Sequence, residues 1–142
     1  MIQFAVNGPI RGKGRPRFNG GGHGRPYTPR TTKEYETQIR AAFLAVRGKK
    51  LEGAVAVRVV ALHVLPKRAS KACRAAAERG EIWPIRRPDL DNVIKVVLDA
   101  LNGIAYADDA QVVRLEARKE YAADGVERLE ICVGEVVGDG NV

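Results

Sequence analysis

The chain has 142 residues, 45% of them hydrophobic and 29% charged, the balance of one folded domain rather than a disordered segment. No apolar run approaches the roughly 20 residues that span a bilayer, and no secretory leader pattern opens the chain, which argues against a membrane or secreted protein. The net charge of +7 is divided unevenly: residues 1–87 hold 19 Lys and Arg against 5 Asp and Glu, and residues 88–142 hold 5 against 12. A basic half points to a polyanionic partner such as nucleic acid or an anionic membrane surface. Cys73 and Cys132 belong to no Cys-x-x-Cys pair, and His23 and His63 are scattered. That pattern argues against a zinc knuckle, a disulfide scaffold or a histidine metal cluster.

Residues 2–6 read as a short strand. Residues 7–30 then hold eleven Gly or Pro in 24 positions, too many for a helix. The same stretch carries Arg11, Lys13, Arg15, Arg17, Arg25 and Arg30 and no acid, so it reads as a long basic loop suited to a phosphate backbone. Thr31 and Glu34 form a Thr-x-x-Glu capping box. Tyr35, Ile39, Ala42, Phe43 and Val46 follow at helical spacing and predict a helix over 32–47, ended by Gly48. Residues 54–65 are a valine-rich buried strand, with His63 as a structural residue within it. Residues 69–79 are a short alanine-rich helix stopped by Gly80, and 81–88 are irregular. Trp83 and Tyr27 are open between stacking on bases and anchoring their own loops.

A second amphipathic helix is predicted from Asn92 to Asn102, stopped by Gly103. Val93, Ile94, Val97, Leu98 and Leu101 form its apolar face; Asp91, Lys95, Asp99 and Asn102 form the other, with Asp99 read as an ion-pair partner of Lys95. An acidic turn at Asp108-Asp109 precedes a strand over 111–121. Asp124-Gly125 is a hairpin signal before a last strand over 126–134, and 138–142 read as a frayed tail. The order β-α-β-α-α-β-β predicts a single-domain α+β (mixed α/β) fold, a mixed sheet with helices packed against it. Cys73 and Cys132 read as small packing residues.

The chemistry concentrates between Arg86 and Asp109. Asp89 and Asp91 stand two apart, and Pro88 disfavours helix at Arg87. An extended lead-in puts both carboxylates on one face, with Asp91 at or near the helix N-cap. Capping accounts for one aspartate. Two, plus the Asp108-Asp109 pair, fit a divalent-cation site better, because carboxylates are the donors that Mg²⁺ and Mn²⁺ prefer. Clustered acids repel each other and DNA unless a cation lies between them. Lys95, one turn beyond Asp91, is placed to neutralise a phosphate oxygen. An EF-hand is excluded because Val93 and Ile94 occupy its third ligand and glycine positions, and no Gly-Lys-Ser/Thr follows Gly20–Gly22 to make a P-loop.

Lys13-Gly-Arg-Pro-Arg17, Tyr27-Thr-Pro29, Thr32, Tyr35-Glu36, Arg87-Pro-Asp-Leu-Asp-Asn92, Lys95, Leu98-Asp-Ala-Leu-Asn-Gly103 and Asp108-Asp-Ala-Gln-Val112 resemble the RusA family of Holliday junction resolvases, common in bacteria and their prophages. The resemblance runs from about residue 11 to 119, and its central motif is the most specific part. It implies a cytoplasmic, homodimeric, Mg²⁺- or Mn²⁺-dependent endodeoxyribonuclease that nicks four-way DNA junctions in pairs during recombination and repair. It maps metal-binding and catalytic roles onto Asp89, Asp91 and Asp109, and a catalytic role onto Lys95; Asp108 is the weaker neighbour. Lys13, Arg15, Arg17, Arg25, Arg30, Arg86 and Arg87 are the candidate DNA contacts. The alternatives are a branched-DNA-binding protein without catalysis, or a nuclease for flaps and forks. Relative to shorter members the chain has a longer basic loop at 11–30 and an added segment near 68–87.

Overall fold

The computed structural model describes residues 1–14, 17–18, 24 and 26–137, with residues 17, 18 and 26 described in their backbone alone. Arg15, Arg25 and the proposed tail 138–142 lie outside the described residues, as does the side chain of Arg17. The elements run β1 (Ile2–Asn7), β2 (Arg17–Phe18), β3 (Pro26–Tyr27), α1 (Arg30–Ala45), β4 (Val55–His63), α2 (Lys71–Glu78), α3 (Leu90–Leu101), a 3-10 turn (Asp109–Gln111), β5 (Val112–Tyr121) and β6 (Arg128–Glu135). This is the predicted single α+β domain with a mixed four-stranded sheet and three helices.

The sheet order is β1-β6-β4-β5. β4 runs parallel to β5 and antiparallel to β6, and β6 is antiparallel to β1. The Asp124-Gly125 turn therefore does not join a paired hairpin, because β5 and β6 lie on opposite sides of β4. The turn chemistry is as expected: Gly125 has φ +72°, and Asp124 accepts from the Val126 amide at 3.1 Å and from Arg128 at 2.9 Å. Local chemistry bends the chain there, but burial of the valine-rich β4 on both edges decides the pairing. Within the basic loop, β2 and β3 form a two-stranded ribbon, Arg17 opposite Tyr27 and Phe18 opposite Pro26, which the Gly and Pro content had concealed.

One sheet face is covered by α1 and α3. Tyr35, Ile39 and Phe43 from α1 and Val93, Val97 and Leu101 from α3 share a core with Phe4, Val57, Val59, Leu129 and Ile131 of the sheet. The Phe4 and Phe43 rings meet edge to face at 5.6 Å. The opposite face carries Arg58, Glu116, Arg118 and Glu120 in surface ion pairs.

α1 begins at Arg30, and no side chain caps it. Thr31 is already helical, so the expected capping box is not formed. Pro29 supplies the entry, at φ −55° and ψ 146°, and the Thr32 hydroxyl instead accepts from the Gly14 amide at 3.0 Å. At the other end Arg47, not Gly48, takes the left-handed conformation, φ 58°. Gly48 serves a close approach: a Cβ there would stand 2.5 Å from the Phe43 ring. Gly48→Ala is expected to cost about 1–3 kcal/mol through displacement of Phe43, read as a lower urea midpoint at unchanged slope.

His63 is fully buried at the end of β4, as a structural residue would be, yet neither ring nitrogen has a hydrogen-bond partner among the described residues. Burial, followed by the charge of Arg86, pushes its pKa down, and Nδ1 lies 3.8 Å from Glu127. Cys132 is buried and Cys73 half-buried.

Candidate active site

α3 starts at Leu90, two residues before the predicted start, with Asp89 as its N-cap. Half-buried Leu90 extends the apolar stripe of Val93, Val97 and Leu101 by one turn, which draws Asp91 into the helix instead of an extended lead-in. Asp89 has extended geometry, φ −63° and ψ 142°, but its carboxylate makes no capping hydrogen bond. Asp91 lies in the first turn, where the helix dipole favours a negative charge. Both are exposed.

The loop 10–14 is seated on this turn. The Lys13 amide donates to the Asn92 carbonyl at 2.9 Å, and a Cβ at Gly12 would stand 2.8 Å from that of Asn92. A cavity of about 440 Å³ borders the loop and the starts of α1 and α3, lined by Arg11, Thr31, Arg87, Asp89 and Asn92 among others.

The Lys13 side chain points inward. Its Nζ donates to Glu36 Oε1 at 2.6 Å and lies 3.0 Å from Asp99 Oδ2, tying the loop to α1 and α3. Burial opposes its charge, but the hydrogen bonds and charges of Glu36 and Asp99 outweigh that and raise its pKa. Lys13 is thus engaged within the domain by Glu36 and Asp99. Asp99 pairs with Lys13 rather than with Lys95. Lys95 is exposed and makes no hydrogen bond or ion pair among the described residues.

The basic candidates divide in the same way. Arg30 pairs with Glu34 at 2.9 Å on the outer face of α1. Arg86 donates to the Val64 carbonyl at 3.2 Å and lies 4.0 Å from Glu127, while its own carbonyl accepts from Lys119 Nζ at 2.6 Å. Arg86 therefore pins the chain ahead of Asp89. Arg87 and Arg11 are exposed and have no such partners among the described residues.

The second acidic pair is resolved by a capping box. Asp108 accepts from the Ala110 amide at 3.2 Å, and Gln111 Oε1 accepts from the Ala107 and Asp108 amides at 2.8 and 3.2 Å. Gln111 also donates to the carbonyls of Leu51 and Gly53, fixing the turn to the start of β4. Asp108 is occupied structurally; Asp109 is exposed, and its carboxylate has no partner among the described residues. Sequence reasoning missed Gln111, although Asp-x-x-Gln is itself a capping-box signature. It also missed Tyr106, fully buried, whose hydroxyl donates to the Leu98 carbonyl at 2.8 Å. Burial first, then the charges of Asp109, Asp99 and Asp108, push that phenol up.

Asp89 and Asp91 open α3, whereas Asp109 follows the turn that closes it, where Gly103 donates to Tyr106 and Leu51 to Ala105. The 12 residues of α3 make it about 18 Å long. Among the described residues no three Asp, Glu, His or Cys side chains gather into a group that could hold a metal ion. The donor chemistry of Asp89, Asp91 and Asp109 suits Mg²⁺.

Residues 7–133 match the family model described as "Endodeoxyribonuclease RusA". The chain is 35% identical over 141 residues to the uncharacterized protein YqaN of Bacillus subtilis (strain 168), covering 95% of this chain and 96% of that one. It is 44% identical over 55 residues to a protein of Lactococcus phage r1t called crossover junction endodeoxyribonuclease rusA, covering 38% of this chain and 40% of that one. Among the described residues no helix is long and apolar enough to cross a membrane.

Proposed function

The chain belongs to the RusA endodeoxyribonuclease family, and from that premise we propose that it is a divalent-metal-dependent endonuclease that cuts four-way DNA junctions in pairs inside a bacterial cell. One observation carries the proposal. Around α3, Lys13, Glu36, Asp99 and Asp108 are consumed by internal bonds, while Asp89, Asp91, Lys95 and Asp109 are left exposed and unpaired among the described residues. Together with the exposed Arg11 and Arg87, these unspent charges are the groups available to a ligand.

In this reading Asp89, Asp91 and Asp109 supply the hard oxygen donors for Mg²⁺ or Mn²⁺. The ammonium of Lys95 stabilises negative charge developing on the phosphate. Arg87 and Arg11, beside the cavity at Asp89, hold the backbone, with Arg15, Arg17 and Arg25 from the basic loop. The protein works as a homodimer, because paired cuts need two sites related by symmetry. Two features support a second copy. Asp89 and Asp91 stand at the start of α3, and Asp109 in the 3-10 turn that follows it in sequence. Edge strand β5 follows Asp109 directly with exposed Val113 and Leu115, 64% and 43% accessible.

The test is cleavage of a synthetic four-way junction against flaps, forks and linear duplex. Cutting of the junction in Mg²⁺, abolished by EDTA, is the expected result. Preference for flaps or forks reassigns the substrate, and binding without cutting in any metal leaves a DNA-binding protein. Junction binding in EDTA is expected to weaken steeply with salt. Release of counterions from four phosphate contacts alone predicts a loss of about a hundredfold for a fourfold rise in salt. Binding that ignores salt removes the backbone grip from the proposal.

A further inference from the structure

The added segment ahead of Arg87 presents apolar side chains that no core absorbs. Ile85 is 95% exposed and Trp83 56%, although Pro84 between them is buried. The segment is pinned: Lys119 holds the Arg86 carbonyl and Arg86 holds the Val64 carbonyl. Trp83 is thus held outward by fixed neighbours. It forms one wall of a cleft of about 290 Å³ between the end of α2 and the end of β5. Tyr121 lines the same cleft, with Ala77 and Gly80, and Arg79 and Glu120 also border it. Its lining carries Glu78, Arg79 and Glu120, with Arg79 tied to Glu81 and Glu120 to Arg118, while the stretch between residues 64 and 88 holds seven Lys and Arg against two Glu.

We infer that this cleft takes an unpaired nucleobase of branched DNA, stacked on Trp83. An exposed indole beside a second aromatic ring suits the flat face of a base, and stacking needs no base-reading code. Ile85 forms an apolar shoulder between the cleft and Arg87. Six residues separate Trp83 from Asp89, at most about 21 Å of chain. At about 3.4 Å per nucleotide along a strand, the captured base lies within about six nucleotides of the phosphate at Asp89. Stacked duplex offers no free base, so the cleft discriminates branch points from linear DNA. The inference rests on the branched-DNA reading above but concerns a different surface.

Trp83 is the single tryptophan of the chain, so its emission reports on this site alone. The wild-type protein is titrated in EDTA with a four-way junction, a linear duplex of equal length, single-stranded DNA, and inorganic polyphosphate. Quenching by the junction and the single strand, with little change from duplex or polyphosphate, is expected. Trp83→Ala is expected to bind the junction about tenfold more weakly with duplex binding unchanged, and Trp83→Phe to retain most of the affinity. Emission equally insensitive to all four probes, or Trp83→Ala that binds the junction like wild type, overturns the inference even if the junction is cut. Quenching by single strand in a protein that cuts nothing upholds the base site and removes the nuclease reading instead.

Discussion

Asp91→Asn and Asp109→Asn are each expected to reduce junction cleavage by at least about a hundredfold, the scale of losing a charge-stabilising group, and their mixture to regain nicking. The reason is where α3 puts the carboxylates. Asp91 lies in its first turn, and Asp109 follows the loop after its last. If a working centre combines Asp89 and Asp91 of one chain with Asp109 of another, each pure variant dimer has two broken centres. A heterodimer collects both defects in one centre and leaves the other intact. Random mixing makes half the dimers heterodimeric, so about a quarter of the wild-type centres return. The product should be singly nicked junction rather than paired cuts, read on a denaturing gel with one arm labelled at a time. Asp108→Asn should act mainly on stability, because its carboxylate caps the 3-10 turn. A mixture as inactive as its components would place all three aspartates to act within one chain.

Much of the fold was legible because it is set by local periodicity. The Val93-Val97-Leu101 stripe makes α3 an amphipathic helix, and the valines of 55–60 make β4 a buried strand paired on both edges. What was not legible depends on partners distant in sequence. Asp124-Gly125 announces a turn, but nothing within it says that β4 will intervene between the strands it joins. The residue types of the site were equally plain in Arg87–Asn92 and Asp108–Asp109, whereas the placing of Asp109 relative to α3 depends on the packed turn at Leu51, Ala105 and Tyr106. Charge was the least legible feature. A basic residue in a Gly-rich loop reads the same whether it faces phosphate or an interior carboxylate, and only packing of Gly12 and Gly14 against α3 and α1 turns Lys13 inward.

That inward lysine predicts a loss of stability rather than of DNA grip. Lys13 is 18% exposed and Glu36 12%, and the ammonium bridges Glu36 and Asp99 from two different parts of the chain. Lys13→Met keeps the packing of the stem but leaves poorly solvated Glu36 with only Arg40, 3.8 Å from its other oxygen. Removing one partner of such a pair is expected to cost about 2 kcal/mol, less than a fully buried pair because Asp99 still reaches solvent. For a chain of this size that lowers the midpoint of thermal unfolding by about 6–10 °C. The pH dependence has a defined sign. The folded state raises the Lys13 pKa above the ordinary 10.5, so the protonated lysine's contribution is complete below that value. It is lost as pH rises through the folded pKa. The stability gap between wild type and Lys13→Met should therefore be constant from pH 7 to 9 as far as Lys13 titration is concerned, and narrow above about 10.5. DNA binding supplies the opposing measurement. If Lys13 contacted a phosphate, its loss would reduce the slope of log affinity against log salt by about 0.9; held by Glu36 and Asp99, it should leave the slope unchanged while Arg87→Ala reduces it. Unaltered stability together with a reduced slope for Lys13→Met would return the residue to the DNA surface and leave Glu36 to another partner.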